Sequence, residues 1–164
     1  MPLSHVDAAV SEAFRTIGQE WALLTAGNEK AFNAMTISWG SLGFVWQRPI
    51  VTVMVRPQRY THEFMEKSDL FTVSFYQNQR KALNVMGSKS GRDTDKVALS
   101  GLTPRFLDGA VTFGEAYLSV VARTLYKTRM TPAGLTEPAL DETFYPKKDH
   151  HSIYMAEIVD IVTA

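Results

Sequence analysis

Three stretches of the chain carry side chains that could do chemistry. Arg56 and Arg59 bracket a turn at Pro57, and Thr61 stands where an N-cap would open a short helix with Glu63 in its first turn. A helix start beside two guanidinium groups suits an anion. Further on, Ser88, Lys89, Ser90, Gly91 and Arg92 combine two cations, hydroxyls and a flexible glycine, which is what a loop closing on a phosphate needs. The third stretch runs from Asn33 to Gly40. There Met35, Ile37 and Trp39 fall on one face of a strand and Thr36, Ser38 and Gly40 on the other, so one side is apolar and the other small and hydroxylated. Taken singly, each stretch also describes something ordinary: a half-buried strand, a turn before a capped helix, a solvated polar linker.

Several chemistries are absent from the sequence. The 164 residues include no cysteine, which removes disulfides, thiolate zinc, iron-sulfur clusters and a thiol nucleophile together. No glycine-rich dinucleotide fingerprint, phosphate-binding P-loop or serine nucleophile elbow occurs, and no carboxylate pair suggests glycoside chemistry. Of the four histidines only His150 and His151 adjoin. Neighbours on a strand point to opposite faces, so no metal site is expected, and His150 reads as a surface residue. Basic and acidic residues balance at 17 each, so no general field draws the chain to nucleic acid or to an acidic membrane. The amino end lacks a basic head and a long apolar run, and no stretch approaches a membrane span, which suits a cytoplasmic protein.

The elements that must position these residues are mostly strands. Length and composition suit one domain over residues 1–164 with its own core. A short amphipathic helix is predicted over Asp7–Ile17, capped by Asp7 and ended by Gly18. Strands follow at Trp21–Ala26, at Ala34–Gly43 and at Ile50–Val55. The last is an almost unbroken β-branched run that reads as a strand buried on both faces, at the core of the sheet. Leu70–Tyr76 alternates Phe71, Val73 and Phe75 against Thr72, Ser74 and Tyr76, predicting one wet face. Two helices stopped by Gly87 and Gly101 flank the Ser88–Arg92 loop. A long strand spans Tyr117–Thr128 with Leu118, Val120 and Ala122 inward, Thr131–Lys148 is a surface excursion without clear period, and Ile153–Val162 closes the chain.

In their order, the run from Asn33 to Gly40, the run from Arg56 to Phe64 and the run from Ser90 to Lys96 resemble the flavin reductase-like proteins with the FMN-binding split barrel, a group that includes flavoredoxin. The resemblance extends from about Trp21 to the last strand. It implies a mainly β fold with short helices, a split β-barrel of Greek-key type, with FMN as cofactor and NAD(P)H as co-substrate. It also implies a homodimer with flavin pockets at or near the subunit interface. Carried onto this chain, it sets Asn33, Met35, Thr36 and Ser38 along the ring and ribityl chain and Arg59, Tyr60 and Thr61 at the phosphate. The Ser90–Arg92 run closes over the same site and contributes Arg92. His151 matches a His-x-x-x-x-Gly pattern near the flavin and nicotinamide, although Ala156 stands where the pattern has glycine.

The residues are compatible with that cofactor, because a flavin brings its own reactivity and asks the protein for binding, orientation and tuning. Trp39 or Tyr60 could line a flat slot, Thr36 to Ser38 could serve the ring's polar edge, and Arg56, Arg59, Thr61, Lys89 and Arg92 are candidates for the phosphate. The expected activity is hydride transfer from NAD(P)H to flavin, with electrons leaving to a small-molecule or protein acceptor. An FMN electron carrier that does not oxidise a nicotinamide, and a cofactor-free binding barrel, remain open alternatives.

Overall fold

The fold is described by a computed structural model, which covers Glu12 and residues 14–164. The expected helix over Asp7–Ile17 falls largely outside the described residues. Within them, Arg15–Gln19 form a single π-helical turn that buries Ile17.

Among the described residues nine strands follow: β1 (Ala22–Asn28), β2 (Ala31–Ile37), β3 (Gly40–Val45), β4 (Arg48–Val55), β5 (Leu70–Phe75), β6 (Pro104–Leu107), β7 (Ala110–Phe113), β8 (Leu118–Arg129) and β9 (Ser152–Thr163). Four short helices are set among them: α1 (Tyr60–Met65), α2 (Arg80–Ser88), α3 (Lys96–Ser100) and α4 (Pro138–Phe144). Seven strands make one antiparallel sheet in the order β2-β1-β5-β8-β9-β4-β3, and β6 and β7 form a separate hairpin. No helix among the described residues is long and apolar enough to cross a membrane.

The sheet curls on itself. Met35 and Ile37 lie on the β2 edge, and Val53 and Val55 lie near the opposite edge. Yet both pairs share one core cluster with Leu24, Phe71, Val73, Phe75, Val120 and Tyr154. A flat sheet of this width could not bring those strands together, and the register shifts in β8 after Val121 and Thr124 add the local bend that curling needs. A smaller cluster fills the outer side of β1, where Leu23 and Ala34 meet Leu83 and Met86 of α2 and Phe113 of β7.

Four expectations need correction. The strand predicted over Ala34–Gly43 is two strands broken at Ser38–Trp39, so the chain turns where the chemistry-bearing residues lie. The run at Ile50–Val55 is buried on the face of Val51, Val53 and Val55 but only half-buried at Thr52 and Met54 on the other, and it sits second from the edge, with β8 in the middle of the sheet. The second face of β5 is dry. Thr72 and Ser74 are fully buried beneath the β6–β7 hairpin, which the sequence reading missed, and their hydroxyls are satisfied by the Val111 carbonyl at 2.6 Å and Thr112 Oγ1 at 2.9 Å. The excursion over Thr131–Lys148 contains α4, started by Pro138. Gly101, by contrast, ends α3 in the left-handed conformation as predicted, with φ 74°.

Candidate functional site

The track begins where β2 runs out. Thr36, Ile37 and Ser38 lie on the floor of two depressions, one on each side. On one side a slot of about 260 Å³ is lined by Met35, Thr36, Ile37, Ser38, Trp39, Met54, Arg56 and His151. On the other, a groove of about 290 Å³ runs past Trp21, Asn84, Gly87 and Ser88. Ser88 also lines a smaller cavity of about 110 Å³ with Gln58, Arg59, Tyr60, Thr61, Lys89, Ser90, Gly91 and Lys96. The three are linked through shared residues, and together they have the size of a small-molecule site.

The smallest cavity is the most charged. Lys96 is only 4% exposed, and its ammonium donates to the carbonyls of Met86 at 3.2 Å and Lys89 at 3.4 Å. Burial, and then the neighbouring Arg59, depress its pKa to about 8. Arg59 donates to the Gly87 carbonyl at 2.8 Å, and burial lowers its own pKa. Neither cation has a carboxylate partner among the described residues. Two half-desolvated cations facing one cavity are costly without an anion, so the donor set fits a phosphate. Lys96 ends the Ser90–Lys96 run, and the sequence pattern does not mark it as a site residue. Its burial could not be read from pattern.

The cavity is closed by the loop after α2. Gly91 approaches β2 so closely that a Cβ there would stand 2.2 Å from Asn33 Oδ1 and 3.2 Å from Tyr60 Cδ1. Asn33 is itself buried and donates to Thr61 Oγ1 at 2.7 Å, which ties β2 to α1 beneath the loop. Thr61 is therefore not the N-cap. Arg59 holds that position without a side-chain cap bond, and Thr61 lies inside the first turn. Gly87 likewise sits within α2 and does not end it, because a Cβ there would press on Thr36 Cβ at 3.1 Å and α2 must lie close to β2.

Several predicted residues are placed differently from one another. Arg59, Tyr60, Thr61, Lys89 and Ser90 meet at the cation cavity. Arg92 does not line it: the side chain is exposed, pairs with Glu63, and lies over the Tyr60 ring at 4.8 Å. Arg56 stands in the slot with His151, tied to Asp149 at 2.8 Å and to the Phe144 carbonyl at 2.8 Å. The Thr36 hydroxyl donates to the Leu83 carbonyl at 2.5 Å, so it faces a ligand only as an acceptor.

His151 is 8% exposed, packed against Trp39 at 5.1 Å, with Nδ1 2.8 Å from the Tyr145 hydroxyl. Burial first, and then Arg56, lower its pKa to about 4, so it is neutral at physiological pH. His150 is not a surface residue. It is 4% exposed, stacked on Tyr145 at 4.5 Å, with Nε2 2.7 Å from Asp141 Oδ1. The strap from α4 thus covers one side of the slot, with Phe144 edge-on to Trp39 at 5.4 Å.

Comparisons with known proteins agree with this architecture. A family model described as the flavin reductase like domain matches residues 14–164. No curated protein matches the chain. Among solved structures, flavoredoxin from Methanosarcina acetivorans superposes with a TM-score of 0.67 at 22% identity, over 88% of this chain and 68% of that one. An FMN-binding protein from Thermus thermophilus gives 0.67 at 23% identity, over 88% and 71%. A putative flavin reductase with split barrel domain from Shewanella frigidimarina gives 0.69 at 16% identity, over 97% and 76%. The curled sheet described above is therefore a split barrel.

Proposed function

The chain belongs to the flavin reductase-like domain family, and on that premise we propose that it is an FMN-binding oxidoreductase whose flavin is reduced by NAD(P)H. When bound, FMN would supply the redox chemistry, accepting a hydride from the nicotinamide and passing electrons to a small-molecule or protein acceptor. The observation that carries the reading is the pair of cations, the buried Lys96 and the half-buried Arg59, facing one cavity with no carboxylate partner among the described residues and joined by a groove to an aromatic slot.

In this reading Arg59 and Lys96 neutralise the phosphate, with Thr61, Ser90 and the backbone of the loop at Lys89 as further partners. Ser88, Gly87 and Thr36 line the path of the ribityl chain, and Gly87 keeps it open. Met35, Ser38 and Trp39 line the slot, where Arg56, paired with Asp149, forms part of the wall and His151 supplies a neutral imidazole. Asn33, Tyr60 and Arg92 brace the loop from below and outside. A homodimer belongs to the same proposal. Its support is the exposed apolar run of β3 and its turn, where Phe44 is 71% and Trp46 55% exposed. A cytoplasmic setting, where reduced nicotinamides are present, completes it.

The strap favours a second reading. Phe144 and Tyr145 narrow the slot beside Trp39 and His151, which leaves less room for a nicotinamide and would suit an FMN electron carrier. An absorption spectrum of the purified protein, before and after anaerobic addition of NADH or NADPH, separates the readings. Rapid bleaching supports the reductase, a flavin that stays oxidised supports the carrier, and protein that remains colourless after FMN is added sinks both.

A further inference from the structure

Tyr145 ends α4 against the slot and is held there from every side. Its amide donates to the Asp141 carbonyl at 2.9 Å and its carbonyl accepts from Lys148 at 2.8 Å. Its ring stacks on the His150 imidazole at 4.5 Å, and the Arg56 guanidinium lies over it at 5.1 Å. The phenol is 3% exposed. Its hydroxyl carries one hydrogen and has two neighbours, His151 Nδ1 at 2.8 Å and Met130 Sδ at 3.2 Å.

Those two neighbours are unequal. A thioether is a weak acceptor, whereas the unprotonated nitrogen of a neutral imidazole is a strong one. His151 is neutral, so one of its nitrogens holds the hydrogen and the other accepts. The charged and titratable groups around the ring are Arg56 and Asp149, which pair with each other, and His150, which is engaged with Asp141. None of these bonds to His151. Nε2 has no partner among the described residues and is not one of the sealed-off polar atoms, so it opens on the slot that His151 lines.

We infer that Tyr145 is a positioning residue: its hydroxyl donates to Nδ1 of His151, fixes the Nε2–H tautomer, and presents that N–H to the carboxamide oxygen of a nicotinamide in the slot. This rests on the reading of the slot as a nicotinamide site and adds to it the group that recognises the donor. The same device gives the strap a function, since α4 carries the hydroxyl that sets the tautomer.

The experiment has two readouts on Tyr145→Phe, which keeps the ring and its stacking. In protein carrying 15N-labelled histidine, wild-type His151 shows the Nε2–H pattern at neutral pH, and the variant shows a mixture of tautomers. In FMN-loaded protein, the variant is bleached by NADH roughly fivefold to tenfold more slowly, the order expected for one oriented hydrogen bond, while FMN affinity and bleaching by dithionite stay within twofold. A wild-type Nδ1–H pattern, or an unchanged tautomer and rate in the variant, overturns the role of Tyr145 while the nicotinamide reading stands. Wild-type flavin that both NADH and NADPH leave oxidised overturns the nicotinamide reading, and the donor role with it, whatever tautomer is seen.

Discussion

Lys96 is buried as an ammonium beside a guanidinium, and that placement sets opposite demands on binding and on stability. Its pKa of about 8 means that the free protein begins to lose the charge just above neutrality. FMN affinity should therefore weaken as pH rises through about 8, approaching tenfold per unit, and Lys96→Met should bind weakly at every pH without that slope. The sign for folding is the reverse. The unfolded lysine keeps its proton to higher pH, so the wild type gains stability between about pH 8 and 10.5. Without ligand, Lys96→Met should be at least as stable as wild type at pH 7, by up to about 3 kcal/mol, and the gap should close above pH 8. Urea unfolding across pH checks this, and a large loss at pH 7 would make the lysine a structural residue. Arg59→Ala should cost about 1.5 to 3 kcal/mol of FMN affinity by removing a charge-assisted contact. Unchanged titration of FMN would remove Arg59 from the site. His151 acts on the acid side. Its folded pKa of about 4 lies below the ordinary 6.5, so the unfolded state binds the extra proton and stability falls as pH drops from about 6.5 to about 4. This term is worth up to about 3 kcal/mol, and His151→Gln should flatten that part of the pH–stability curve.

At the scale of elements, the cation cavity exists because a loop is pulled down onto a strand. The Lys89–Arg92 turn packs on Asn33 of β2 and Tyr60 of α1, and only a residue without Cβ fits at Gly91. Gly91→Ala should push the loop off β2. FMN binding should weaken by tenfold or more, while global stability falls only about 1 kcal/mol, because the loop contributes little to either core cluster. Titration with FMN and thermal unfolding of the same variant separate the two effects. Equal affinity would show that the loop does not close the site. The hairpin β6–β7 has a different task. By covering Thr72 and Ser74 it turns a face that reads as wet into a hydrogen-bonded interior, with Thr112 and Ser119 completing the hydroxyl cluster at 2.5 Å.

For the molecule as a whole, the curl of the sheet brings β2 and β4 to one core and so brings His151, just before β9, beside Trp39, in the break between β2 and β3. What the curl leaves outside is β3, an edge strand with Leu42, Phe44 and Trp46 exposed. Trp46 and Gln47 form its turn with φ of 53° and 58°, an uncommon conformation for non-glycine residues, and that turn carries the exposed Trp46. If this face meets a second copy, Phe44→Glu should shift the sedimentation coefficient from dimer to monomer without unfolding the barrel. A variant that sediments as wild type would place the interface elsewhere.

The order of types along the chain was enough to reveal the strands of β1, β4, β5, β8 and β9, the absence of thiol and nucleotide-fold chemistry, and the three runs that mark the family. Those are local properties: a period of two, a β-branched run, a glycine after a helix. The sequence also named residues on both sides of the site, but not which of them share a cavity. Arg56 and Arg59 are three positions apart and look equivalent in sequence, yet one is neutralised by Asp149 in the slot and the other faces the cation cavity. Lys96 looks like any surface lysine until the end of α2 packs over it, and His150 looks exposed until α4 covers it. Burial and counter-charge depend on segments distant in the chain, so only the folded barrel decides which charges are left needing a partner.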